Sequence, residues 1–217
     1  MEEKDLIELS GQLMNPNGEK GIEIANMMNE TNRGMTVSSI NNLQLKEGNC
    51  ILEIGHGNAG HLNYLFEQAP NLSYKGIDIS DLMIQEAGRI NESLVQKGSA
   101  EFIHYNGMDI PFENDSFDSV FTVNTLYFWR NPNAFLKEIV RIMKVGGHFS
   151  LTFAEAAFME KLPFTKFNFT LYTIEKVKQL IEKTNLKIVK IDSKKEEVKS
   201  KTGDLIEREF VTILSTK

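Results

Sequence analysis

The sequence predicts an α/β protein built on a mostly parallel sheet, and three observations carry that prediction. From residue 50 onward, short apolar runs alternate with amphipathic segments of helical length, the rhythm of strand–helix–strand units. Cys50 to Ile54 is apolar except for Glu53 and ends abruptly in glycine, as a strand covered on both faces does before a tight turn. Gly55, Gly57 and Gly60 then give the spacing G-x-G-x-x-G, and Leu62, Leu65 and Phe66 continue at helical spacing. Such a strand–turn–helix lets the backbone turn at positive φ and leaves no Cβ between main chain and ligand. The open amides of the following helix favour electron-rich groups there.

The elements follow in order. Asp5 to Met14, Gly21 to Asn29 and Met35 to Leu45 read as helices, so residues 1–48 form an N-terminal helical cap ahead of the α/β core of residues 49–217. Asn29 and Asn32 are the polar residues of this cap that stand out, and Met27, Met28 and Met35 suit either core or a pliable pocket. Leu72 to Ile79 is a second strand, and Ser80 caps a helix running to about Lys97. Glu101 to Tyr105 and Phe117 to Val123 are the third and fourth strands. A helix over Asn131 to Met143 leads through a Gly146-Gly147 turn to a fifth strand, Gly147 to Phe153. Thr173 to Thr184 is the last helix. Leu186 to Ile191 and Glu209 to Leu214 are strands flanking a charged stretch, Lys194 to Glu207, which reads as a solvated hairpin loop.

Composition narrows the classes. A chain of 217 residues with 41% hydrophobic content buries one sizeable core and is expected to be a single domain. A net charge of −6 argues against a broad electrostatic footprint for nucleic acid. The single Cys50 lies on the first strand and reads as a small buried hydrophobe, with no disulfide framework. Four dispersed histidines and one cysteine, without H-E-x-x-H spacing, give no metal site. The amino terminus lacks a basic segment followed by an apolar run, and no apolar stretch is long enough to span a bilayer. A cytoplasmic protein with no membrane partner is expected.

Glu53 sharpens the chemistry. A carboxylate two residues before the first glycine faces the ligand crevice at the carboxyl end of the first strand. A pyrophosphate gains nothing from an anion there, whereas a ligand with an amino group and a sulfonium does. Glu53-Ile54-Gly55-His56-Gly57-Asn58-Ala59 resembles the first motif, E/D-x-G-x-G-x-G, of the class I S-adenosylmethionine-dependent methyltransferases, with Ala59 where the third glycine is usual. The family resemblance covers about Leu45 to Lys217 and is to the small-molecule type, similar to the ubiquinone/menaquinone-biosynthesis group.

The resemblance implies a Rossmann-like seven-stranded sheet of order 3-2-1-4-5-7-6, helices on both faces, and S-adenosylmethionine as cofactor with S-adenosylhomocysteine as product. Within Gly76-Ile77-Asp78-Ile79-Ser80 it gives Asp78 the ribose hydroxyls and Ile79 the adenine face. Asp78 alternatively caps the next helix. Asp109 would accept from the adenine amino group and the Ile110 amide donate to a ring nitrogen, with Gly107 and Met108 beside them. Gly55, His56 and Gly57 form the loop under the cofactor, and Asn124 touches its methionine portion. The cap would pack over the cofactor or merely cover the sheet edge.

The substrate side has no signature. Tyr127 and Trp129 follow the fourth strand, where the family places substrate walls, and Tyr127 is the one positional candidate for a general base. Residues 154–172 are unusually aromatic and read as a lid, with Phe167 and Phe169 against a small-molecule acceptor, or as a satellite core. Two rivals stand beside direct in-line methyl transfer. One is a nicotinamide-dependent oxidoreductase, supported by the glycine spacing, Asp78 and a Tyr172–Lys176 pair. The other is a non-catalytic domain that binds S-adenosylmethionine as a scaffold.

Overall fold

The computed structural model describes residues 2–199 and 205–217. Three helices come first, α1 (Glu3–Met14), α2 (Gly18–Thr31) and α3 (Arg33–Asn42). Strands β1 (Cys50–Ile54), β2 (Ser73–Asp78), β3 (Ala100–His104), β4 (Phe117–Val123) and β5 (Met143–Ala154) are mutually parallel. Strands β6 (Lys187–Lys199) and β7 (Leu205–Thr216) form an antiparallel pair that joins β5 through β7. The resulting order is β3-β2-β1-β4-β5-β7-β6, as the sequence resemblance implies.

Both faces of the sheet are covered, which is why β1 reads as nearly continuous apolar sequence. Leu52 and Ile54 face a core completed by α7 (Pro132–Ile142) and α9 (Ile174–Ile181). Ile51 faces a second core of Ile40, Leu43, Leu62, Leu65 and Ala87, supplied by α3 and its end, α4 (Leu62–Phe66) and α5 (Asp81–Ile90). Period-two alternation therefore puts Glu53 on the second face, beside buried Tyr74.

Four local expectations are corrected. The helix after Ser80 is two, α5 and α6 (Glu92–Gln96), broken at buried Asn91, whose side chain donates to the Ala59 and Ala87 carbonyls at 3.1 and 3.0 Å. Strand β5 begins four residues before Gly147, so the Gly146-Gly147 pair lies inside it, with a register shift opposite Phe117 to Ser119. The helix after the glycine turn is only five residues long, so a macrodipole contributes little and individual groups must form the site. The charged stretch from Lys194 to Glu207 is not a loop where it is described. Lys194 to Lys199 and Leu205 to Glu207 continue the β6–β7 ladder, and residues 200–204 lie outside the described residues.

The aromatic segment 154–172 folds into a one-turn helix, α8 (Ala156–Met159), and a 3-10 turn at Pro163–Lys166. Its ends are core, with Phe158 and Tyr172 buried, while Phe164, Phe167 and Phe169 are half-buried. Among the described residues no helix is long and apolar enough to cross a membrane.

Candidate active site

Two adjacent cavities open at the carboxyl ends of the parallel strands, where α/β sheets place ligands. The first, about 160 Å³, is the more polar of the two and lies over the glycine turn. The second, about 440 Å³, is mostly apolar. Leu13, Met28, Asn32, Asn124 and Phe128 line both, so the two lie side by side.

The glycine turn is shaped by two different demands. At Gly55 φ is +74° and an added Cβ would meet Thr125 Cγ2 at 2.3 Å, so the strand can leave the sheet only with glycine there. At Gly57 φ is +56° and nothing lies within 4 Å of the missing Cβ, which leaves the backbone open to the cavity. Ala59, where a third glycine is usual, also has positive φ (+50°), with its methyl fully buried.

Asp78 ties this turn to β2. One carboxylate oxygen accepts from the Gly57 amide and the other from the Ser80 amide, both at 3.0 Å. Ser80, not Asp78, caps α5 by accepting from the Met83 amide. Burial pushes the Asp78 carboxyl above the usual carboxylate range, while neighbouring His56 and the two amides pull the other way. With about four acceptor sites on a carboxylate, Asp78 retains capacity toward the cavity it lines.

Glu53 is equally buried. Its Oε2 accepts from the Tyr74 hydroxyl at 2.5 Å and from His61 Nε2 at 2.8 Å, while Oε1 has no partner among the described residues. His56 lies against Phe102, with ring centroids 5.0 Å apart, above Gly76, where a Cβ would meet His56 Cδ2 at 2.7 Å. Its Nδ1 donates to the Gly57 carbonyl at 2.6 Å, which leaves Nε2 as a buried acceptor without a partner among the described residues. Burial holds this imidazole below its usual range, against the pull of Asp78 and Glu53, so it is neutral at pH 7.

The N-terminal helices lie over the cavity rather than at a sheet edge alone. Asn26 on α2 accepts from Asn58 Nδ2 at 3.0 Å, and a Cβ at Gly60 would strike Asn29. Pro16, Ala25, Met28 and Asn29 line the polar cavity from above.

Of the residues expected at the cofactor, Glu53, Gly55, His56, Gly57, Asp78, Ile79 and Asn124 line the polar cavity. Met108, Asp109 and Ile110 do not. Asn106 folds that segment into a turn by accepting from the Met108 and Asp109 amides, Asp109 pairs with Asn106 Nδ2, Met108 is exposed and Ile110 is buried. Tyr105 and Gly107 reach the wall in their place.

The residues expected at the acceptor also separate. Tyr127 and Phe169 line the apolar cavity, whereas Trp129 lines the polar one and donates to Thr125 Oγ1. Phe167 lines neither; its carbonyl accepts from Ser10 on α1. The Tyr127 hydroxyl is held in the fold, accepting from the Ala154 amide at 2.7 Å and facing the Asn124 and Ala154 carbonyl oxygens at 3.0 and 3.1 Å. Burial raises its pKa, so the phenol stays protonated and has no phenolate to offer as a base at neutral pH. Tyr172 and Lys176 line neither cavity: Tyr172 belongs to the core and Lys176 is exposed on α9. The dehydrogenase-like pair has no geometry to support it.

Arg208 was not singled out by motif reading. It is buried on β7 and donates to Glu196 on β6, to the Thr31 carbonyl and, at 3.1 Å, to Asn32 Oδ1. Asn124 Nδ2 donates to the same Asn32 oxygen at 3.1 Å, from a backbone held at φ +58°. Ile206, Arg208 and Phe210 alternate with Glu207 and Glu209, the period-two signal that would have turned Arg208 inward.

Residues 52–151 match the family model described as a methyltransferase domain. That segment, a little under half of the chain, resembles a methyltransferase domain. The chain's sheet order and Rossmann-like fold are those of the class I S-adenosylmethionine-dependent methyltransferases. Among curated relatives, a fatty-acid O-methyltransferase of Mycolicibacterium smegmatis is 29% identical over 106 residues, 49% of this chain and 37% of that protein. A chain from the complex with the Haloferax volcanii Trm112 methyltransferase activator superposes with a TM-score of 0.76 at 17% identity, covering 89% of this chain and 93% of that one. An S-adenosylmethionine-dependent methyltransferase from Aquifex aeolicus gives 0.64 at 18% identity, covering 89% and 96%. The chain spans 37% to 62% of the length of the first curated relatives it matches.

Among the described residues no group of three or more His, Cys, Asp or Glu side chains is placed to hold a metal ion.

Proposed function

We propose that the protein is an S-adenosylmethionine-dependent methyltransferase that acts on a small-molecule acceptor in the cytoplasm by direct in-line transfer. The observation that carries this reading is the open face at Gly57 between two buried carboxylates, in a cavity that shares a wall with a separate apolar one. The donor set suits the cofactor. Asp78 has acceptor capacity for ribose hydroxyls, and the free Glu53 oxygen suits a cationic end. When bound, S-adenosylmethionine supplies a methyl group already activated by its sulfonium. The protein's task is then to align the acceptor and exclude water. Phe128 and Met28 at the junction and the N-terminal helices above it provide the dry surroundings. The relatives named as O-methyltransferases support a small acceptor.

Thermal shift tests the cofactor. S-adenosylhomocysteine should raise the melting temperature and NAD should not. Methyl-labelled cofactor offered with a metabolite pool should label a small molecule. Stabilisation by NAD alone would reverse the reading, and tight binding without any labelled product would favour the scaffold.

A further inference from the structure

We infer that the acceptor is a lipophilic monocarboxylic acid, methylated on its carboxylate oxygen to give a methyl ester. This deepens the methyltransferase reading and rests on it.

The argument begins with the uneven distribution of polarity in the larger cavity. Its walls are aliphatic and aromatic, from α1, α2, the aromatic segment and the β6–β7 arm. Of its polar side chains, Asn32, Asn124, Tyr127 and Arg208 form one connected cluster, which the Thr31 backbone carbonyl joins through Arg208. Asn32 and Asn124 also line the cofactor cavity, so the polar end of the larger cavity is the end where transfer must occur. An occupant therefore has a polar head at the junction and an apolar body beyond it. At about 440 Å³ the cavity lies within the ~300–1,000 Å³ that holds small organic ligands.

The cluster also selects the head. Asn32 Oδ1 is filled by Arg208 and Asn124, which directs its amide nitrogen elsewhere, and that nitrogen has no partner among the described residues. Arg208 uses Nε, both hydrogens of Nη2 and one of Nη1, so one Nη1 hydrogen remains. Glu196 already pairs the Arg208 charge, so the spare hydrogen-bond donors select the head, and they favour an anionic oxygen over an amine.

Tyr127 and Arg208 are the titratable side chains of this cavity among the described residues. Neither takes a proton at neutral pH, because Tyr127 is already protonated and held, and Arg208 is a cation. Glu53, His56, His61 and Asp78 line the other cavity. A phenol or alcohol would arrive protonated with no base to meet it. A carboxyl group, ionised above about pH 4, needs none. Its oxygen lone pair forms the new O–CH₃ bond as the C–S bond breaks, and that bonding pair returns to sulfur. Carboxylate and sulfonium charges cancel, leaving a neutral ester and a neutral thioether, with no proton released.

The test incubates the full chain with methyl-labelled S-adenosylmethionine and decanoate, decanol or acetate. Label should appear in methyl decanoate alone. Labelled ether from decanol, or acetate used as well as decanoate, would overturn the inference. Calorimetry with S-adenosylhomocysteine and decanoate separates the two levels of argument. Product nucleoside binding with neither decanoate binding nor ester sinks the acceptor assignment alone; no nucleoside binding sinks the methyltransferase reading with it. Arg208→Gln should raise KM for decanoate about tenfold while S-adenosylhomocysteine affinity holds. Should that variant fail to fold, Asn32→Asp keeps the oxygen that Arg208 and Asn124 use and puts a negative charge at the head. It should raise the same KM by about tenfold or more. An unchanged KM in a folded variant would overturn the assignment.

Discussion

The two cavities meet at Asn32 and Asn124, yet the chain builds them in opposite ways. The polar cavity is made by backbone turns and buried carboxylates at consecutive strand ends, with φ values that only certain residues tolerate. The apolar cavity is assembled from side chains on segments as far apart as Leu6 and Arg208, with hardly a backbone requirement among them. The first is a local solution written in short motifs, and the second a long-range one written in burial. Substitutions should therefore act on the two cavities separately.

The largest effect is expected at Gly57. Gly57→Val places a β-branched side chain in the open space and forces it to φ +56°, which costs roughly 1–2 kcal/mol of stability. Calorimetry should find cofactor affinity abolished in a variant that still folds; normal binding would remove the turn from the site. Asp78→Ala should weaken cofactor binding by about 1–3 kcal/mol, the cost of polar groups left without partners. Unchanged affinity would leave Asp78 as a pin between Gly57 and Ser80 only.

The apolar side is sharpened by a contrast between two phenylalanines. Phe169 packs against Phe128 and Tyr127, with ring centroids at 4.7 and 5.6 Å, and lines the cavity, whereas Phe167 does not line it. Phe169→Ala should raise acceptor KM about tenfold with cofactor affinity unchanged. Phe167→Ala should leave both constants alone. Equal effects from the two would erase the distinction.

That contrast also marks where sequence reading stops. Strands β1 and β4 and the sheet order are legible because a motif fixes residue type and backbone conformation together, and seven of the ten residues expected at a cofactor line one cavity. Met108 to Ile110 escape it because Asn106 turns that segment on itself. Phe167 and Phe169 are two residues apart in a segment without regular period, so aromatic content could not say which one faces inward. Arg208 was hidden by its charged neighbours. A stretch rich in lysine and glutamate reads as solvated, although its alternation also describes a two-faced strand.

His56 offers a smaller test on the polar side. An imidazole whose folded pKa is lowered adds stability that is present above the unfolded value of about 6.5 and is lost as pH falls below it, because the unfolded chain then binds the proton first. The slope is at most about 1.4 kcal/mol per pH unit. Denaturation of wild type and His56→Gln between neutral and mildly acidic pH should give curves that differ by this slope; parallel curves would mean that His56 protonates freely in the folded state.

The smallest effect is expected at Ala59, and it separates backbone strain from packing within one turn. Gly57 and Ala59 both have positive φ, at +56° and +50°. At Gly57 an added methyl would have nothing to pack against, so the left-handed backbone would cost its full ~1–2 kcal/mol. At Ala59 the same cost is offset. The methyl is fully buried in the core formed by Leu62, Leu65 and Ala87, worth roughly 0.8 kcal/mol. Alanine also spares about 0.5–1 kcal/mol of the entropy that glycine loses on folding. The Ala59 carbonyl is held by Asn91 and its amide by the His56 carbonyl, so the turn keeps its shape whichever residue is present. Ala59→Gly should therefore change unfolding free energy by less than about 1 kcal/mol and leave cofactor affinity unaltered. A loss above about 2 kcal/mol would show that the buried methyl, rather than a glycine-like backbone, holds this turn in place.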